Sequence, residues 1–122
     1  MTTYGAEFLK KRDAAVAFMR AFLRGARDYN DALRDGRIAG KDADDVVGII
    51  AKYSMVKDTD LLRNVVPSAC NPDGEPNVEG MQKDLSFVQS LGLAEKQATV
   101  AEVLDLSFLK AALVDLGPYR RG

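Results

Sequence analysis

DAAVAFMRAFLRGARDYNDALRD, the stretch from Asp13 to Asp35, decides the fold class. Val16, Met19, Leu23, Ala26 and Leu33 recur at helical spacing, and Ala15, Phe18, Phe22 and Tyr29 widen the apolar stripe. The charges Arg20, Arg24, Arg27, Asp28, Asp31 and Arg34 fall mostly outside it. A stripe of that kind predicts an amphipathic helix with one buried face. Asp13 can cap it, or the helix begins nearer Gly5 and bends. Gly36 is the expected stop, followed by a polar turn, RIAGK.

Working outward, the rest of the chain repeats the same theme. Asp42 is placed to cap a second helix, with Asp44 and Asp45 complementing its positive end and Val46, Val47, Ile50 and Tyr53 on its buried face. Asp58 caps a brief third helix carrying Leu61, Leu62, Val65 and Val66, which Pro67 ends. Asn77 caps a fourth with Met81, Leu85, Val88 and Leu91 on one face, and Gly92 supplies its left-handed terminus. Thr99 and Glu102 form a capping-box pattern, T-x-x-E, over a short turn of helix. Ser107 caps the last helix, with Phe108, Leu109, Ala112, Leu113 and Leu116, before Gly117 and Pro118. No segment alternates with a period of two, and the first six residues form at most the stub of a strand. The expectation is a single helical domain over residues 1–122, all-α, with five or six helices.

Bulk properties exclude several function classes. Net charge is −1 over 122 residues, which argues against a nucleic-acid or anionic-membrane partner. No apolar run approaches the roughly 18 residues that span a bilayer, so no membrane insertion is expected. MTTYGAEFLKKRD lacks the long apolar core of an export signal. The single cysteine, Cys70, cannot form an internal disulfide, and histidine is absent. That absence removes the commonest general base and the commonest transition-metal ligand.

One stretch invites a metal reading. NPDGEPNVEGMQ, Asn71 to Gln82, carries oxygen ligands at alternate positions: Asn71, Asp73, Glu75, Asn77 and Glu79. Aligned on a calcium loop from Asn71, the obligatory glycine is replaced by Pro76 and the bidentate glutamate by Gln82. Pro72, Asp73 and Gly74 instead read as a turn, one by fixed φ, one by local hydrogen bonding, one by free φ. The carboxylates of Asp42, Asp44 and Asp45 read as a solvated helix start, and Cys70 has no base to activate it. Tyr4, Tyr29, Tyr53 and Tyr119 could stack on a ligand, but Tyr29 and Tyr53 sit on apolar stripes and read as core. No catalytic residue, cofactor site or metal site is expected, and the chain is not expected to be an enzyme.

Four segments carry a resemblance: YGAEFLKKRDAAVAFMRAFLRGARDYNDAL, VVGIIAKYSMVKD, NPDGEPNVEGMQKDLSFVQSLGL and VLDLSFLKAALVDLGPYRR. In order and spacing, from about Tyr4 to Arg120, they resemble the C-terminal portion of the substrate-binding proteins of ABC importers of the nitrate/sulfonate/taurine type (the SsuA-like group). F-x-x-A-F-L-R-G at Phe18 to Gly25 is similar to that family's F-x-x-A-Y-L-R-G helix, and DLSFL at Asp105 to Leu109 to its D-x-S-F near the chain end. The resemblance implies the helical C-terminal tail of a type II periplasmic binding protein fold, without the α/β lobes that hold the solute. It implies non-covalent capture of a small organic solute by the complete protein, little or no binding by this chain alone, and no ligand-binding residue carried here. It implies a periplasmic location, whereas the visible start, if Met1 is the true one, implies the cytoplasm.

A covering layer without its sheet leaves apolar side chains in water, at about 1.5–3 kcal/mol each. Such a face is expected to be covered by a second copy, giving a homodimer, or by the remaining lobes of a binding protein. The candidates for that interface are Phe18, Met19, Phe22 and Leu23, where the stripe is broadest. A stand-alone self-association or protein-interaction module is the alternative.

Overall fold

The computed structural model describes residues 5–121. The strand stub expected over residues 1–6 lies outside that range except for Gly5, which is extended, and Ala6, which opens a helix. That helix, α1 (Ala6–Leu9), is broken from α2 (Arg12–Asp31) at Lys11, whose φ of −104° and ψ of 62° are not helical. The first signal thus folds as two helices, starting just after Gly5 and broken, rather than bent, at Lys11. Asp13 is not the cap but lies in the first turn of α2, where the macrodipole favours a carboxylate.

Two strands follow where the sequence suggested only a stop and a polar turn. β1 (Leu33–Arg34) pairs antiparallel with β2 (Arg37–Ile38), Leu33 opposite Ile38. Asp35 and Gly36 join them with φ of 51° and 73°. Two consecutive residues with positive φ are what a right-twisted two-residue hairpin needs, and Asp-Gly supplies them at low steric cost. The hairpin hands Ile38 to the core as a buried residue.

The remaining helices are α3 (Ala43–Tyr53), α4 (Thr59–Asn64), α5 (Val78–Ser90), α6 (Val100–Val103) and α7 (Ser107–Leu116). The described residues are therefore mostly helical, with seven helices rather than five or six; the seventh comes from the break at Lys11. Asp58 Oδ1 accepts the Asp60 and Leu61 N–H groups at 3.0 Å each, and Asn77 Oδ1 accepts from Gly80 at 2.9 Å, as their positions promised. The Thr99–Glu102 capping box is present. Two caps differ. Asp42 occupies the N-cap position in a left-handed conformation (φ 52°), and its side chain makes no cap bond. Ser107 is the first residue of α7, and its N–H is held at 2.8 Å by Asp105 Oδ1 one step further out.

The core has two parts, and α2 runs along both. Its N-terminal half packs on α7, burying Met19 and Leu23 against Leu109 and Ala112, with Leu106, Leu113 and Leu116 at the edge. The two helices run parallel: Arg12 reaches Ser107 and Arg20 reaches Asp115, each pair 95 residues apart. At the other end Ala32, Ile38, Ala43, Val46, Val47 and Leu62 close a second cluster, flanked by Tyr29 and Ile50. Tyr53, expected on the buried face of α3, is 77% exposed with Lys52 over its ring, because the helix outruns the hairpin and α4 that cover its first turns. No helix among the described residues is long and apolar enough to cross a membrane.

Candidate functional site

The NPDG turn is a clasp. Asn71 Oδ1 accepts the Asp73 N–H at 2.8 Å, and Gly74 N–H reaches back to the Asn71 carbonyl at 2.9 Å. Gly74 has φ of 73°, and a Cβ there would come within 2.7 Å of Leu23 Cδ2 and 3.0 Å of Leu109 Cδ1. The turn is thus seated directly on the α2–α7 seam, where a side chain would be strained by the positive φ and would crowd both leucines. The Asp73 carboxylate is used by a cation: its Oδ1 receives Arg27 Nη2 at 2.7 Å and the Tyr119 N–H at 2.8 Å.

Arg27 is the hub of that clasp. Its guanidinium also donates to the carbonyls of Gly117 at 2.5 Å, Pro72 at 3.3 Å and Leu116 at 3.4 Å. One side chain therefore joins α2, the turn and the end of α7. With side-chain exposures of 15% and 30%, Arg27 and Asp73 are shielded enough for the pair to hold its geometry. The chain end is tied in as well: Tyr119 Oη donates to Asp31 Oδ1 at 2.5 Å, and Arg121 donates to the Leu33 carbonyl. The hydrogen bond to Asp31 raises the Tyr119 pKa, with some burial adding to it.

Upstream, the same loop is pinned on the other flank of α2. Tyr29 Oη donates to the Ser68 carbonyl at 2.7 Å, and burial followed by the nearby Cys70 raises its pKa. Asn30 Nδ2 reaches both the Cys70 carbonyl (3.1 Å) and its sulfur (3.2 Å). Cys70 is exposed, with the Asn30 amide against its sulfur. Asp44 is paired with Arg63 at 2.5 Å, leaving Asp42 and Asp45 in solvent. Among the described residues no three His, Cys, Asp or Glu side chains gather into a set that could hold a metal. The concavities are open: one of about 630 Å³ is a depression between α5, α6 and α7, lined by Val78, Gln82, Val100, Leu104 and Lys110.

What the fold does offer is apolar surface. Of the four interface candidates, Met19 and Leu23 are consumed by the seam with α7. Phe18 and Phe22, one step round the helix, remain 47% and 42% exposed, with Phe8 edge-on to Phe18. α5 is more extreme. It has the amphipathic pattern of a packed helix, but its apolar face, Met81, Leu85 and Val88, is only half-buried, and Phe87 is 64% exposed. Leu91 and Leu93 just beyond it are exposed too. Arg27, by contrast, had no local signal: its partners lie 45 to 90 residues away.

No family model, curated protein or solved structure matches the chain.

Proposed function

We propose that this chain is a helical covering layer that acts without chemistry, by packing its unfilled apolar faces on another polypeptide surface. The reading adopts what the sequence resemblance implies: the C-terminal portion of a solute-binding protein of an ABC importer of the nitrate/sulfonate/taurine type. In the complete protein the task is non-covalent capture of a small organic solute and its delivery to a permease. The chain by itself holds little or no solute, since its concavities are open.

The observation that carries this is α5, a 13-residue amphipathic helix whose apolar face, Met81, Leu85 and Val88, is only half-buried and whose Phe87 is exposed. Fully burying a single Leu or Phe is worth about 1.5–3 kcal/mol, so a helix whose apolar face is left half in water has burial still to gain from another surface. The test has two arms. Hydrogen exchange of the α5 amides is measured in this chain and in a longer one that adds the coding sequence upstream. Protection of α5 is expected to rise in the longer chain, while the α2–α7 seam changes little. A thermal-shift screen of this chain with nitrate, sulfonates and aromatic acids is expected to show no saturable rise in Tm. Unchanged α5 protection, or a saturable rise with this chain alone, overturns the reading.

Self-association as a stand-alone module is the second reading, favoured by the exposed Phe18 and Phe22 on α2.

A further inference from the structure

The outer face of α2 has a composition and polarity that specify what covers it. Between Asp13 and Asp28 its solvent side carries a strip of uncharged, exposed residues, Ala14, Ala17, Phe18, Ala21, Phe22 and Gly25, with the exposed Arg24 at the edge beside Ala17 and Phe8 of α1 edge-on to Phe18. Their spacings alternate between three residues and one, which keeps them on one side of a helix for about three turns. A Cβ at Gly25 would meet open space, and Arg20 is drawn away to Asp115. The face is thus two large rings beside four small residues that allow a second backbone to come close.

In line with the strip, its two ends differ in sign, while Asp13 and Arg24 stand to the side of it. Lys11 stands three residues before Ala14, and Asp28 three residues after Gly25. Both are exposed, and neither makes an ion pair among the described residues. We propose that α2 packs antiparallel on α2 of a second copy, about a two-fold axis near the middle of this face. The rings of Phe18 and Phe22 then lie against the small residues of the other copy, and Lys11 of each approaches Asp28 of the other. Parallel pairing would set Lys11 beside Lys11 and Asp28 beside Asp28, which repels at both ends. The pairing uses α2 alone, so it stands apart from the covering role of α5 and survives if that role fails. A three-turn helix contact buries less than the roughly 800 Å² per partner of a stable complex, so a weak, micromolar dimer is expected.

The test is sedimentation velocity from micromolar to sub-millimolar concentration, with reductant present so that Cys70 cannot cross-link copies. The chain is expected to pass from monomer to dimer. Ala21→Glu, a charge placed on the exposed face, is expected to weaken association by roughly tenfold or more. Lys11→Asp and Asp28→Lys are each expected to weaken it, and the double exchange to restore most of it. Each single exchange agrees with the helix dipole, so lost association does not report a lost helix, which circular dichroism checks. A monomer throughout the range overturns the proposal. So does a dimer indifferent to Ala21→Glu, or single-exchange losses that the double exchange fails to repair.

Discussion

α2 and α5 are both amphipathic helices with apolar residues at helical spacing, yet they live by different rules. α2 is tied to residues far along the chain: Arg20 to Asp115, Arg27 to Asp73 and Gly117, Met19 and Leu23 to Leu109 and Ala112. α5 is held by its own neighbourhood. Asn77 caps it, Glu79 pairs with Lys83 at 2.6 Å, and Gln89 donates to the carbonyls of Glu95, Lys96 and Ala98. Every one of those bonds closes within nine residues. A helix built only on local bonds is marginal in water, because nucleation is costly and most helical stability comes from burying a face. The seam and the α5 arm should therefore behave as separate units, one opening only with the whole fold, the other opening by itself.

The largest break in that comparison is Leu23→Ala. The side chain is fully buried in the seam, and its loss is expected to cost about 2–5 kcal/mol. Leu91→Ala beyond α5 removes the same atoms from an exposed site and should stay within about 0.5 kcal/mol. Urea denaturation of the two variants measures the contrast; equal losses would mean that α5 is part of the main cooperative unit.

Next in size is Gly74→Ala. It places a Cβ against Leu23 and Leu109 at a positive φ, and about 1–3 kcal/mol of destabilisation is expected from overpacking alone. The Arg27 clasp should loosen with it, seen as faster exchange of the Tyr119 amide, which donates to Asp73.

Asn77→Ala removes the α5 cap and is expected to cost about 1 kcal/mol. The loss should be local. Amides of α5 exchange faster while those of α2 keep their protection; a matching change in α2 would join the two regions into one.

The smallest effect concerns pH. Tyr119 has its pKa raised by the hydrogen bond to Asp31, so its proton is held more tightly in the folded chain. That contribution is complete below the ordinary tyrosine pKa and fades as pH rises through the raised one, so stability declines on the alkaline side. Tyr29 adds to the decline in the same direction. Tyr119→Phe should flatten the slope without abolishing it; an unchanged slope in alkaline urea titrations would mean that the tail contact does not count.

Much of the local structure was legible. The Asp58 and Asn77 caps, the Thr99–Glu102 box and the positive φ of Gly92 follow from residue types that satisfy orphan amides or tolerate unusual backbone. The Asp35–Gly36 hairpin is equally local, and the Asp-Gly dipeptide is its signal. The candidate site was legible only by half. Phe18, Met19, Phe22 and Leu23 stand together as interface candidates, and nothing in the stripe separates the two exposed rings from Met19 and Leu23, which α7 covers. Arg27 was seen only as a charge outside the stripe.

The amino-acid sequence by itself determined where helices start and stop, because caps, turns and periodicity act over a few residues. Which apolar face found a partner was decided only by the tertiary structure. The parallel docking of α7 on α2 chose Met19 and Leu23 over Phe18 and Phe22, and the same docking drew Arg27 onto Asp73 and the end of α7. Burial is a property of surfaces brought together across up to 95 residues of chain, and no spacing of residues along one helix encodes it.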